Sequence, residues 1–159
     1  MLVKVLNRSG AVLYCYSEHK DPAVMISISD PRMEYKFSVF CSETNKLKEI
    51  LPLCFSDAES VAGTDVYGNP MTSDDLMSDE DARKVVDFVE KYRNELILVH
   101  CDAGISRSAG VAAAILKACT GDDTQIFDNP YYVPNRWCYR KVLDAFAEQE
   151  EQNAKHLAH

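Results

Sequence analysis

His100, Cys101, Arg107 and Ser108 stand in the run HCDAGISRS, a cysteine and an arginine with five residues between them. A cysteine attacks as the thiolate, and a free thiol is mostly protonated at neutral pH, so such a cysteine needs surroundings that favour an anion. The run lies between an apolar stretch, LILVH (96–100), and a second one, AGVAAAILKACT. That is the pattern of a strand, a turn and a helix. Successive backbone N–H groups of residues 102–107 can then curl round an anion at the helix N-terminus. Asp102, Ala103, Gly104, Ile105 and Ser106 would line this seat. Gly104 supplies the backbone freedom that turns N–H groups inward, and Arg107 adds a planar fork able to hold two oxygens at once. Ser108 places a hydroxyl where it can stabilise the Cys101 sulfur as attacking or leaving group. His100 is read as ordering the loop by hydrogen bonding rather than shuttling protons. The alternative for Cys101 is a buried structural thiol at a strand end, and the company of Arg107 argues against it.

The elements that hold this run follow from patterning. Residues 23–29 (AVMISIS) and 49–55 (EILPLCF) read as buried strands, and 96–100 is the clearest strand. A helix is expected from Ser78 to about Arg93: Ser78 with Asp81 resembles a capping box, and Ala82, Val85, Val86 and Val89 form one stripe. A second helix starts at Arg107, is apolar nearly all round and therefore buried, and stops at Gly121. NPYYVPN (129–135) is a loop, and Asn135 caps a last helix with Val142, Leu143 and Phe146 inward. Beyond Glu148 the polar end is expected to fray. Ser9 is a candidate cap for a short helix over AVLYCY. Alternating strands and helices make the chain α/β, a single domain over 1–150 with a frayed tail over 151–159.

Composition excludes several classes. The net charge is −8, from 17 basic and 25 acidic residues, which disfavours nucleic acid and anionic membranes as partners. No apolar run approaches the roughly 18 residues that span a bilayer, and the first residues lack a signal-peptide pattern. A cytoplasmic monomer is expected. Six cysteines without a C-x-x-C pair are expected to be reduced. Cys54 or Cys138 could form a reversible disulfide with Cys101. His156 and His159 have no thiol or carboxylate set around them, so no metal site is expected.

HCDAGISRSAG resembles the signature of the dual-specificity branch of the cysteine-dependent tyrosine phosphatases. The resemblance is very specific at 100–110, moderate at 49–57 and 129–146, and weak or absent before 47. It implies a central mixed sheet flanked by helices, with the signature loop between a strand and a buried helix. It also implies metal-independent, cofactor-free hydrolysis of phosphomonoesters through a phosphocysteine on Cys101, with a phosphorylated protein or a small phosphomonoester as substrate. Protein phosphotyrosine is the first expectation, with phosphoserine and phosphothreonine beside it. The family needs a general acid on a loop after an upstream strand. Asp57 fits, following EILPLCF, although it stands 44 positions before Cys101; Asp65 is the reserve. Asp74, Asp75, Asp79 and Asp81 are accounted for by a helix start. VPNRWCYRKVLDAF resembles the family's Pro-Asn element, with Asn135 as cap and packing anchor. Substrate preference is expected to reside in residues 1–46. The same chemistry on a phosphoinositide or an RNA 5′-phosphate, and a catalytically silent phosphate-binding module, remain alternatives, with Asp102 weighing against a polyanion. Sulfur transfer and arsenate reduction fit the AGISRSA context less well.

Overall fold

The computed structural model describes residues 1–19, 21–31, 47–65 and 68–158. Four strands form one sheet in the order β1-β4-β2-β3: β1 (Leu2–Leu6), β2 (Ala23–Ser29), β3 (Leu47–Cys54) and β4 (Leu96–His100). All three pairings are parallel. The central sheet with flanking helices is as expected; the antiparallel component of a mixed sheet is not found among the described residues. The inner strands β2 and β4 are buried almost throughout, which explains why AVMISIS and LILVH are nearly unbroken apolar runs.

Strand β1 carries no expectation from the sequence. LVKVL is short, lies on the sheet edge and carries Lys4, so its apolar pattern is weak, yet it pairs with β4 from Leu2↔Leu96 to Leu6↔His100. Helix α1 (Arg8–Tyr16) follows at once. Its cap is Asn7, whose side chain accepts from the Gly10 amide at 2.7 Å, so the helix starts before the expected Ser9.

Helix α2 (Asp79–Lys91) has the expected capping box between Ser78 and Asp81 and buries Ala82, Val85, Val86, Phe88 and Val89. Helix α3 (Arg107–Thr120) is buried from Arg107 to Leu116 and ends at Gly121 in the left-handed conformation, φ 79°. A single turn, α4 (Thr124–Phe127), leads to the 129–135 loop and to α5 (Arg136–Leu157), capped by Asn135 through the Cys138 amide at 2.9 Å. Helices α3 and α5 pack against each other. Gly110 allows it, because a Cβ there would come within 2.4 Å of the Asn135 carbonyl oxygen.

Two further expectations need correction. Helix α5 does not fray after Glu148 but continues to Leu157, although Phe146 is its last buried residue. Ala, Glu, Gln and Lys are strong helix formers that sustain a helix without an apolar stripe, and Lys155 and His156 favour its C-terminal dipole. The cysteines are not all reduced: Cys15, on the buried face of α1, is disulfide-bonded. No C-x-x-C spacing marks this cysteine in the sequence. Cys54, Cys101, Cys119 and Cys138 are free.

Candidate active site

Parallel strands point their C-terminal ends to one edge, and each of the four delivers a site residue there. β1 leads to Asn7 and Arg8, β2 to Asp30, β3 to Phe55 and Asp57, and β4 to Cys101.

Cys101 leaves β4 buried, and residues 102–106 curl between it and the first residue of α3. The conformation of Gly104 is left-handed, φ 68°, as its role required. A second constraint was not visible in the sequence: a Cβ at Gly104 would lie 2.7 Å from the Asn7 nitrogen and 2.8 Å from the Leu6 carbonyl carbon. The β1–α1 junction therefore backs the loop. Asn135 and Val133 brace its other side, their amides donating to the Ser106 and Ile105 carbonyls at 2.9 and 3.0 Å.

The Ser108 hydroxyl sits 3.0 Å from Cys101 Sγ, within hydrogen-bonding reach of a sulfur. Arg107, 4% exposed, donates from Nη1 to the Phe55 carbonyl at 2.9 Å and to Asp30 Oδ1 at 3.1 Å. Its Nε is buried and has no acceptor among the described residues. Asp57 lies over the loop, where Oδ1 accepts from the Ser106 hydroxyl at 2.7 Å and from Asn135 Nδ2 at 2.9 Å. Asn135 thus does more than cap α5, since its amide group also ties the 57–58 segment in place through the Ala58 carbonyl at 3.1 Å. Asp65 serves a surface turn instead, its carboxylate accepting from the Asn69 amide at 3.0 Å. The structure brings Cys101, Ser106, Arg107, Ser108 and Asp57 together.

His100 is fully buried at the base of the loop. Nδ1 donates to the Cys101 carbonyl at 3.2 Å, which fixes the tautomer, and Nε2 accepts from the Ser27 hydroxyl at 2.6 Å. Burial pushes its pKa down to about 4, so it is neutral in ordinary buffers and acts as the expected support. Cys138 is buried in the core and burial also pushes its thiol up; the Cys54 thiol is raised by the same cause. Neither is favoured as the thiolate partner of a disulfide with Cys101.

Two charged residues were missed, Arg8 and Asp30. Arg8 Nε donates to Asp102 Oδ1 at 2.7 Å, its Nη2 pairs with the same oxygen, and its amide donates to the Asp102 carbonyl at 3.1 Å. Asp30 is pushed upward by burial and by its hydrogen bond with Asp102, against the pull of Arg107. Burial works to raise Asp102 too, but its hydrogen bonds with Asp30 and Arg8 outweigh that and hold it low. No local pattern flagged either residue, because their partners are 94 and 77 positions away. Among the described residues no cluster of His, Cys, Asp and Glu has metal-binding geometry, and no helix is long and apolar enough to cross a membrane.

No protein-family model and no curated protein matches the sequence. Solved structures do. The crystal structure of PTPMT1 in complex with PI(5)P is similar with a TM-score of 0.53 at 19% identity, over 83% of this chain and 81% of that one. DUSP15 is similar with a TM-score of 0.53 at 17% identity, over 98% and 90%. Tk-PTP in its active form gives 0.53 at 14%, over 91% and 90%. At such identities the fold is what is shared: a strand-loop-helix carrying Cys101 and Arg107 stands at the edge of the sheet, and the chain has the fold seen in these phosphatase structures.

Proposed function

We propose that the protein hydrolyses phosphomonoesters through a phosphocysteine on Cys101. The observation that carries this reading is the Nε of Arg107, a buried donor with no acceptor among the described residues, at the end of a loop that begins with Cys101. A buried guanidinium nitrogen without an acceptor is costly unless an anion completes it. The loop amides of residues 102–107 and the Arg107 fork would hold three phosphoryl oxygens.

In the first step the Cys101 thiolate attacks phosphorus. The S–P bond forms, the P–O ester bond breaks, and Asp57 gives its proton to the leaving oxygen. In the second step water attacks phosphorus, the Asp57 carboxylate takes a proton from it, and the S–P bond breaks with the thiolate leaving. The Ser108 hydroxyl, 3.0 Å from the sulfur, stabilises that thiolate in both steps. The Ser106 and Asn135 bonds aim the Asp57 carboxyl at the loop. Neither step needs a metal or a cofactor.

The favoured substrate is protein phosphotyrosine. Val133, 68% exposed, is hydrogen-bonded through its amide to the loop, and Tyr131, 57% exposed, stands two residues away. An apolar rim of this kind suits an aryl ester. A second reading is a small non-protein phosphoester such as a phosphoinositide. The observation in its favour is that the Asp102 charge, which would repel a polyanion, is taken up by Arg8, and a structure of similar fold was solved with PI(5)P.

The test is hydrolysis of para-nitrophenyl phosphate, a phosphotyrosine peptide, a phosphothreonine peptide and a phosphoinositide, in EDTA and reductant, by wild type and Cys101→Ser. Turnover that survives EDTA and is lost in Cys101→Ser is the expected result, with the phosphotyrosine peptide the best of the three natural esters. Equal turnover by Cys101→Ser would remove the cysteine mechanism.

A further inference from the structure

The guanidinium of Arg107 has two sides with different partners. Nη1 carries two hydrogens, and both are used, one on the Phe55 carbonyl at 2.9 Å and one on Asp30 Oδ1 at 3.1 Å. The other edge, formed by Nε–H and the Nη2–H parallel to it, is the edge that holds two oxygens of one anion. On that edge Nε is buried with no acceptor among the described residues, and Nη2 has Asp102 Oδ2 at 3.6 Å, too far for a hydrogen bond. Asp102 is the nearest competitor for the fork. It is restrained by Arg8, which grips its Oδ1 through Nε and Nη2 and its carbonyl through the backbone amide.

We propose that Asp30 is a positioning residue that anchors Nη1 from the end of β2 so that the Nε–Nη2 edge of Arg107 faces the phosphoryl group, while Arg8 keeps Asp102 from closing on that edge. Resting on the phosphatase reading above, this makes the anion affinity of the loop depend on two residues outside the signature. Without Asp30, one Nη1 hydrogen loses its acceptor and the guanidinium is free to turn toward Asp102. Without Arg8, the Asp102 carboxylate keeps only its hydrogen bond with Asp30 and can turn toward the guanidinium. Either movement fills the fork with a carboxylate of the protein itself.

The experiment uses tungstate as the oxyanion probe, its affinity read by calorimetry on the full chain and, separately, as competitive inhibition of para-nitrophenyl phosphate hydrolysis. Loss of a charge-assisted contact predicts roughly tenfold weaker tungstate binding for Asp30→Ala. Asp30→Asn keeps an oxygen for Nη1 and should stay within about threefold of wild type, a rescue that separates aiming from mere electrostatics. Arg8→Gln should weaken tungstate as Asp30→Ala does, and adding Asp102→Asn to Arg8→Gln should restore it. This pair keeps the test open if Asp30→Ala does not fold. Wild-type affinity in Asp30→Ala, equal impairment of Asp30→Asn and Asp30→Ala, or no restoration by Asp102→Asn would each overturn the inference. A wild-type protein that neither binds tungstate nor turns over any phosphoester would remove the phosphatase reading, and this inference with it.

Discussion

His100 is buried between the Ser27 hydroxyl and the Cys101 carbonyl, with its pKa pushed down to about 4 against an ordinary value of 6.5. Above pH 6.5 the ring is neutral folded and unfolded, and it costs nothing. As the pH falls below 6.5 the unfolded chain takes up a proton that the folded one refuses, so stability declines down to about pH 4, by at most about 3 kcal/mol. Urea unfolding across pH 4 to 7 should show this loss, and His100→Gln should remove it from the profile. Asp57 makes a second prediction at this scale. Asp57→Asn should slow alkyl and unsubstituted phenyl phosphates by about 10²–10⁴-fold but affect para-nitrophenyl phosphate much less, because only a poor leaving group needs the proton. An equal loss on both esters would make the carboxyl a structural brace. The signature cysteine, arginine and serine were legible because they are adjacent in sequence and a loop of that kind demands them. Arg8 and Asp30 were not, since what defines each is a contact made only when four strands assemble.

The same contrast holds among elements. Helix α2 and helix α3 announce themselves by a capping box, a stripe and a terminal glycine, all local signals. Strand β1 does not, because an edge strand of five residues with one lysine buries little of its own surface and takes its identity from β4. The α1 cap was misplaced by two residues for a related reason: Asn7 and Ser9 are both good caps, and only the end of β1 decides between them. Between α3 and α5 the contact is tight at Gly110, and a methyl group there would meet the Asn135 carbonyl oxygen at 2.4 Å. Gly110→Ala should therefore cost about 1–3 kcal/mol. It should also lower turnover, because Asn135 holds both Asp57 and the Ser106 carbonyl. Thermal unfolding and steady-state kinetics on one sample test both effects, and a stable, fully active Gly110→Ala would show that α5 can shift freely.

For the whole molecule, stability and site are laid out separately. Buried residues of α5 stop at Phe146 while the helix runs on to Leu157, exposed from Glu150 onward. Deleting residues 154–159 should change unfolding free energy by no more than about 0.5 kcal/mol and leave turnover unchanged. A larger loss would mean that the last turn of α5 contributes packing which its exposure does not indicate. The alternation of strand-like and helix-like segments foretold an α/β chain, but strand order could not be read from it, because parallel pairing joins segments separated by helices.

Strands that all run the same way divide the sheet into two edges with different tolerances. At one edge Asn7, Arg8, Asp30, Phe55, Asp57 and Cys101 each follow a strand end within three residues, so any insertion there alters chemistry. At the other edge the chain passes from α2 into β4 through residues 92–95, a short turn closed by the Glu95 amide on the Tyr92 carbonyl at 3.1 Å. No residue of the candidate site belongs to that turn. It is the natural port for a reporter or a fused binding module, and a protein extended there keeps the candidate site uncovered.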